Sequence, residues 1–196
     1  MARAKRHFIP GHTWHITHRC HKKEFLFKFD KDKKRFIEWL FQAKKKYKLH
    51  ILNYMVTSNH IHLLVSDSAK NRKTIPDSIK LVAGRTAQEY NKRKKRKGAF
   101  WEDRYHATAV QNTEYLIRCM NYIDMNMVRA GVVKRPSDWK FCGLHEILSP
   151  KKRYAIIDHN RLLELLDFDD FTVFKKTYLD CLGSSLNNNK KRRETK

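Results

Sequence analysis

Two β-favouring runs lie three residues apart in this chain: Leu-His-Ile-Leu-Asn-Tyr-Met-Val at 49–56 and His-Ile-His-Leu-Leu-Val-Ser at 60–66. Thr57-Ser58-Asn59 between them supplies turn chemistry, so the runs read as the two strands of a hairpin. A hairpin alone cannot bury its apolar residues and needs further strands or helices. The flanking sequence supplies them. Residues 12–19 (His-Thr-Trp-His-Ile-Thr-His-Arg) read as an earlier strand, and 104–111 (Arg-Tyr-His-Ala-Thr-Ala-Val-Gln) as a later one. From Asp32 to Tyr47, Phe36, Ile37, Leu40, Phe41 and Tyr47 fall on one helical face with lysines opposite. Pro76 opens a second helix that runs to about Asn91, with Ile79, Val82, Ala83, Thr86 and Tyr90 facing inward. A third begins at an Asn112 or Thr113 cap, carries Glu114 in its first turn and ends before Gly131.

The order β-α-β-β-α-β-α predicts an α+β fold: a ferredoxin-like split βαβ with an antiparallel central sheet and helices on one face. This unit is expected over residues 1–135. Asp158 to Asp167 and Asp170 to Leu182 read as helices of a C-terminal helical extension over 136–184. The Asn- and Lys-rich end, 185–196, reads as a disordered basic tail.

Charge narrows the partner. Lys and Arg number 43 against 20 Asp and Glu, a formal net charge of +23 on 196 residues. A folded body so charged repels itself unless a polyanion neutralises it. Nucleic acid is the expected polyanion, since basic side chains displace counterions from phosphates. An anionic membrane surface is the competitor, but no basic amphipathic helix with a lipid-seeking face is visible and no apolar run spans a bilayer. The basic N-terminus, Met1 to His7, leads into no apolar signal region, so a cytoplasmic, nucleoid-associated protein is expected. Cys20, Cys119, Cys142 and Cys181 form no CxxC pair and read as reduced, structural thiols.

His60 and His62 are the chemistry-bearing pair. Residues i and i+2 of a strand share a face, with Cβ atoms roughly 7 Å apart, so both imidazoles can converge on one metal ion while Ile61 points into the core. Alone, His-x-His is a weak signal, and two half-exposed sheet residues would explain it. Tyr122 and Asn126 strengthen it. They are four apart on the third helix and therefore neighbours on one face. A carboxamide oxygen is a hard ligand suited to Mg²⁺ or Mn²⁺, and a phenol one turn away is a nucleophile. A phenol titrates near ~10 and needs a polarised phosphate to attack at neutral pH.

Asn59-His60-Ile61-His62-Leu63-Leu64 resembles the HUH motif of single-tyrosine transposases, and the nearest branch by resemblance is the REP-associated tyrosine transposases. Pro10-Gly11 with Trp14-His15-Ile16-Thr17-His18-Arg19, Lys46 to His50, Gly98 to Tyr105, and Tyr122-Ile-Asp-Met-Asn126-Met-Val-Arg-Ala-Gly-Val-Val133 resemble further segments of that branch, in its order. The likeness covers about residues 8–145. Two departures stand out: Thr57-Ser58 where the family commonly has Met-Pro, and Asn126-Met127-Val128 where it commonly has Asn-Pro-Val. The resemblance implies a metal-dependent enzyme with ligands His60, His62 and Asn126 and nucleophile Tyr122. It implies cleavage of single-stranded or hairpin DNA through a covalent 5′-phosphotyrosine link, then strand transfer to a second DNA end. In related enzymes the active form is a dimer, so a homodimer is expected.

Other residues have competing roles. Tyr115 and Tyr105 are rival nucleophiles, but Cys119, one turn after Tyr115, is no hard ligand, and Tyr105 is expected to pack on the fourth strand. His12, His15, His18 and His21 recur every three residues, a spacing that alternates strand faces and cannot serve one metal. Arg19, Arg104 and the run Lys92, Arg93, Lys94, Lys95, Arg96, Lys97 are candidate DNA contacts, with a solvated surface segment as the plain alternative for the run. Trp101 is a candidate for stacking on unpaired bases, with core packing as its alternative. Three other readings compete with the transposase. A non-catalytic nucleic-acid-binding protein on the same fold explains the charge but not the four site residues together. A phosphodiesterase using water would leave no covalent adduct. A histidine-triad hydrolase would want a third histidine where Leu64 stands.

Overall fold

A computed structural model describes residues 8–67 and 72–194 of the chain. The basic N-terminus Met1 to His7 and the last two residues of the expected tail lie outside the described residues. Four strands, β1 (Thr13–Arg19), β2 (His50–Val56), β3 (His60–Ser66) and β4 (His106–Val110), form one sheet in the order β2-β3-β1-β4. Every neighbouring pair is antiparallel. Helices α1 (Asp30–Tyr47) and α2 (Thr74–Arg93) complete the βαββαβ unit, and α3 (Thr113–Asp124) follows β4. The expected α+β, ferredoxin-like architecture is therefore present.

Local chemistry explains the elements. The β2–β3 turn is organised by the Thr57 hydroxyl, which accepts from the backbone N–H of His60 at 3.1 Å and of Asn59 at 3.3 Å. Helix α1 opens on Asp30 and Asp32 and closes on Lys44, Lys45 and Lys46, matching the helix dipole, and Lys48 ends it in the left-handed conformation. Asn112 caps α3 by accepting from the Tyr115 N–H at 2.8 Å.

Helices occupy both faces of the sheet, not one. Helices α1 and α2 pair through Arg35, whose guanidinium forks onto Glu89 at 2.7 and 2.8 Å. They cover the face that carries His18, which stacks on Trp101, whose indole donates to the Ala83 carbonyl of α2. The opposite face, reached by Asn53 and His62, is covered by α3. The expectation of one face holds for α1 and α2 alone. The sequence signal for the second layer is the near-continuous apolar content of the hairpin: six of seven residues are buried in β2 and again in β3.

The C-terminal extension is bonded to the sheet. The short helices α4 (Asn126–Arg129) and α5 (Leu144–Leu148) precede α6 (His159–Leu166) and α7 (Phe171–Glu194). The free edge of β2 is capped by backbone bonds from Val56 to Phe141, Gly143 to Tyr54 and Asp158 to Ile51, at 2.9, 2.8 and 2.8 Å. Helix α7 continues to Glu194, so the segment expected as a disordered tail is helical over 185–194. Its asparagines follow a core-anchored stretch, Phe174, Tyr178 and Leu182, and its Lys and Arg residues are good helix formers. All four cysteines are free thiols. No helix among the described residues is long and apolar enough to cross a membrane.

One buried network ties three layers together. Asp124 of α3 accepts from Asn53 Nδ2 of β2 at 3.0 Å and from the Tyr178 hydroxyl of α7. Burial pushes the Asp124 carboxyl up from 3.8 to about 7, against the opposing pull of these two donors. Between those values the folded chain holds a proton that the unfolded chain has released. The contribution of Asp124 to stability is therefore fully present below 3.8 and is lost as pH rises towards about 7. Asp124→Asn is expected to remove this decline, so that denaturant midpoints from about pH 5 to about pH 8 fall less steeply than in the parent; parallel curves would contradict the assignment. A Cβ at Gly143 would lie 2.5 Å from Asn53 Oδ1, inside contact distance of the same network. Gly143→Ala is expected to cost about 1–3 kcal/mol in urea unfolding, because the backbone and Asn53 leave no space for the methyl group.

Candidate active site

Strand β3 presents His60 and His62 on the α3 side of the sheet, with ring centroids 4.9 Å apart. Each ring is oriented through a second nitrogen. His60 Nδ1 lies 2.7 Å from Asn59 Oδ1 and 2.9 Å from Thr57 Oγ1. A carboxamide oxygen can only accept, so Nδ1 carries the proton and Nε2 the lone pair. His62 Nδ1 lies 3.1 Å from His15 Nε2, and His62 Nε2 lies 3.2 Å from the Asn126 carboxamide.

Both rings are held neutral. Burial, assisted by Arg19, lowers His60 to about 4. Burial lowers His62 well below the ordinary histidine value, assisted by His60, His15 and Arg19. A neutral imidazole with an available lone pair is the form that ligates a metal. Two imidazoles and the Asn126 carboxamide would hold a divalent ion here once the carboxamide turns its oxygen towards the ion in place of Nδ2, the atom that lies 3.2 Å from His62 Nε2. Among the described residues no group of three or more His, Cys, Asp or Glu is placed to hold one.

Helix α3 brings Tyr122 to this pair. Its ring centroid is 5.7 Å from His62 and 6.1 Å from His15, edge-on to both. The side chain is 44% exposed, open to a large substrate. The Arg129 guanidinium lies 5.1 Å over the same ring. The helix breaks at Met125, and Asn126 starts the single turn of α4, so the break occurs without a proline at position 127. Tyr105 packs with Phe8 and His18 on the other face, as expected of a β4 neighbour.

Two cavities meet at Tyr122, His62 and Thr17. One, of about 520 Å³, is lined by His60, Arg19, Arg104 and His106. The other, of about 640 Å³, is lined by His15, Tyr115, Arg118 and Arg129. Of the basic candidates, Arg19 and Arg104 reach the site. The run at 92–97 lines neither cavity: Lys92 and Arg93 finish α2, Arg93 pairs with Asp32, and Arg96 bonds to the Ala99 carbonyl at 2.9 Å. Lys92, Lys94, Lys95 and Lys97 are exposed beyond it. Trp101 is tied to His18, with ring centroids 4.0 Å apart, and to Ala83. Sequence reasoning dismissed His15 with its neighbours because their spacing alternates faces; the alternation is real, and it places His15 alone of the four beside His62. Arg129 and His106 were also missed, since only the register Thr17↔His106 and the α3–α4 break carry them to the site.

No curated protein matches the chain. Among solved structures, the chain is similar to a REP-associated tyrosine transposase bound to a REP hairpin, at 20% identity over 76% of this chain and 87% of that one, with a TM-score of 0.64. A proposed transposase from Deinococcus radiodurans R1 matches at 17% identity over 60% of this chain and 93% of that one, with a TM-score of 0.43. The first likeness shows a shared fold. The family model described as "Transposase IS200 like" matches residues 9–126, a span that runs from just before β1 through Asn126 and takes in both histidines and the tyrosine. The chain belongs to the IS200-like transposase family of DNA-processing enzymes.

Proposed function

We propose that this transposase cleaves and rejoins single-stranded DNA through a covalent bond to Tyr122. The observation that carries the reading is the meeting of four side chains at one place: the Tyr122 ring and the Asn126 carboxamide both lie against His62, with His60 beside it. His60, His62 and Asn126 would hold Mg²⁺ or Mn²⁺, and a bound ion would supply Lewis-acid polarisation of the scissile phosphate. Tyr122 Oη attacks phosphorus and the bond to the 3′ oxygen breaks. The phenol proton is released and the departing 3′ oxygen gains one, leaving a 5′-phosphotyrosine and a free 3′-OH. The 3′-OH of a second DNA end then attacks the same phosphorus and Tyr122 leaves with its proton restored. The number of phosphodiester bonds is conserved, so no nucleotide cofactor is needed.

Arg19 and Arg104 face the cavity beside the histidines and position the DNA backbone, and the exposed lysines of 92–97 add sequence-independent attraction. The related structure carries a REP hairpin, which supports hairpin DNA as the substrate class here. The tyrosine lies against the histidines of its own chain, which supports cleavage in cis; a homodimer would serve to bring two DNA ends together.

The test is a denaturing gel of the protein incubated with labelled hairpin-bearing single-stranded DNA and Mn²⁺ or Mg²⁺. Label is expected on the protein, dependent on metal, and absent from Tyr122→Phe and His62→Ala. An adduct that survives Tyr122→Phe would move the nucleophile to Tyr115. Tight binding without an adduct, on DNA proven to contain the cleavage sequence, would favour a binding protein on the same fold.

A further inference from the structure

His62 is the most enclosed member of the site, with 4% of its surface exposed. Both of its ring nitrogens face a side chain: Asn126 Nδ2 lies 3.2 Å from Nε2 and His15 Nε2 lies 3.1 Å from Nδ1. A neutral imidazole has one donor and one acceptor nitrogen. A carboxamide N–H only donates, so Nε2 of His62 accepts and Nδ1 holds the proton. The proton on Nδ1 then points at His15 Nε2, which must accept it, and His15 carries its own proton on Nδ1. One arrangement of protons satisfies the whole chain.

We infer that His15 is a positioning residue for the metal site: it accepts the Nδ1 proton of His62 and so fixes the Nε2 lone pair towards the ion, an assignment that rests on the metal reading above. Its place in the sheet suits the task. Thr17 is directly opposite His62 across the β1–β3 pair, and His15 is opposite Leu64, so His15 is the diagonal neighbour of His62 on the same face. The two rings lie nearly coplanar and edge to edge, with centroids 5.3 Å and planes 19° apart, the geometry that an in-plane N–H···N bond requires. The edge of His15 also meets the Tyr122 ring, at 6.1 Å, so one side chain abuts both the ligand and the nucleophile.

Metal-bound histidines commonly donate their second N–H to a carboxylate, a backbone carbonyl or water. A carboxylate here would put a negative charge beside the place where a phosphodiester must enter. A neutral imidazole accepts the same proton without repelling the phosphate. His15 therefore orients the ligand at no electrostatic cost to substrate entry.

Two measurements decide the matter. In metal-free protein labelled with ¹⁵N-histidine, nitrogen shifts at neutral pH are expected to show His62 protonated at Nδ1; protonation at Nε2 would overturn the assignment. Calorimetric titration with Mn²⁺ is expected to show His15→Ala binding about 10–100-fold more weakly than the parent. His15→Gln, whose carboxamide oxygen can accept the same proton, is expected to recover most of the loss. Equal Mn²⁺ affinity in His15→Ala and the parent would overturn the role. A parent protein that binds no Mn²⁺ would instead overturn the metal reading, while the His62 nitrogen shifts would still decide whether His15 accepts its proton.

Discussion

Asp124 stands between Tyr122 and Asn126 on the chain and faces the other way, into the core. It receives hydrogen bonds from Asn53 of β2 and Tyr178 of α7, so one carboxyl joins the sheet, the tyrosine helix and the C-terminal helix. The placement of Tyr122 depends on this bond set. A helix held to a sheet only by apolar contacts can slide by a fraction of a turn at small cost, whereas a buried polar pair has one geometry that satisfies both partners. Because Tyr122 and Asn126 flank the anchored residue, fixing Asp124 fixes the separation of the Tyr122 phenol and the Asn126 carboxamide from His62.

The same logic gives the C-terminal extension a structural role. Segments at 141–143 and 157–158 bond along β2, and α7 brings Tyr178 to Asp124. The extension therefore closes the sheet edge and supports the tyrosine helix from behind. It also lines the second cavity through Cys181 and Ser185, so part of that wall belongs to α7. The catalytic unit and the extension share one core.

The electrostatic design is layered. The body as a whole carries +23, which draws a polyanion to it. The site at its centre is built from neutral imidazoles and a carboxamide, with burial holding the histidines uncharged. Guanidinium groups stand at its margins, at Arg19, Arg104 and Arg129, with the carboxylates of Glu102 and Asp103 on the same wall as the first two. Positive charge thus stands outside the imidazole pair, whose rings burial keeps neutral.

What the sequence determined by itself is the part of this protein governed by local periodicity. Two-residue spacing put His60 and His62 on one face, four-residue spacing put Tyr122 beside Asn126, and the alternation of runs predicted β1 to β4 and helices α1, α2, α3, α6 and α7 but neither the break before α4 nor α5, because strand and helix periods act within a few residues. Tertiary structure decided what depends on register and layer. His15 is a partner of His62 because β1 pairs with β3 at Thr17↔His62, and no local pattern specifies that pairing. Trp101 stacks on His18 and the 92–97 run lies away from the cavities because the end of α2 and the β4 approach belong to the opposite face. The tail became helix because Tyr178 and its neighbours anchor α7 to a core assembled from residues far away in the chain, and a composition rich in Asn and Lys carries no trace of that anchor.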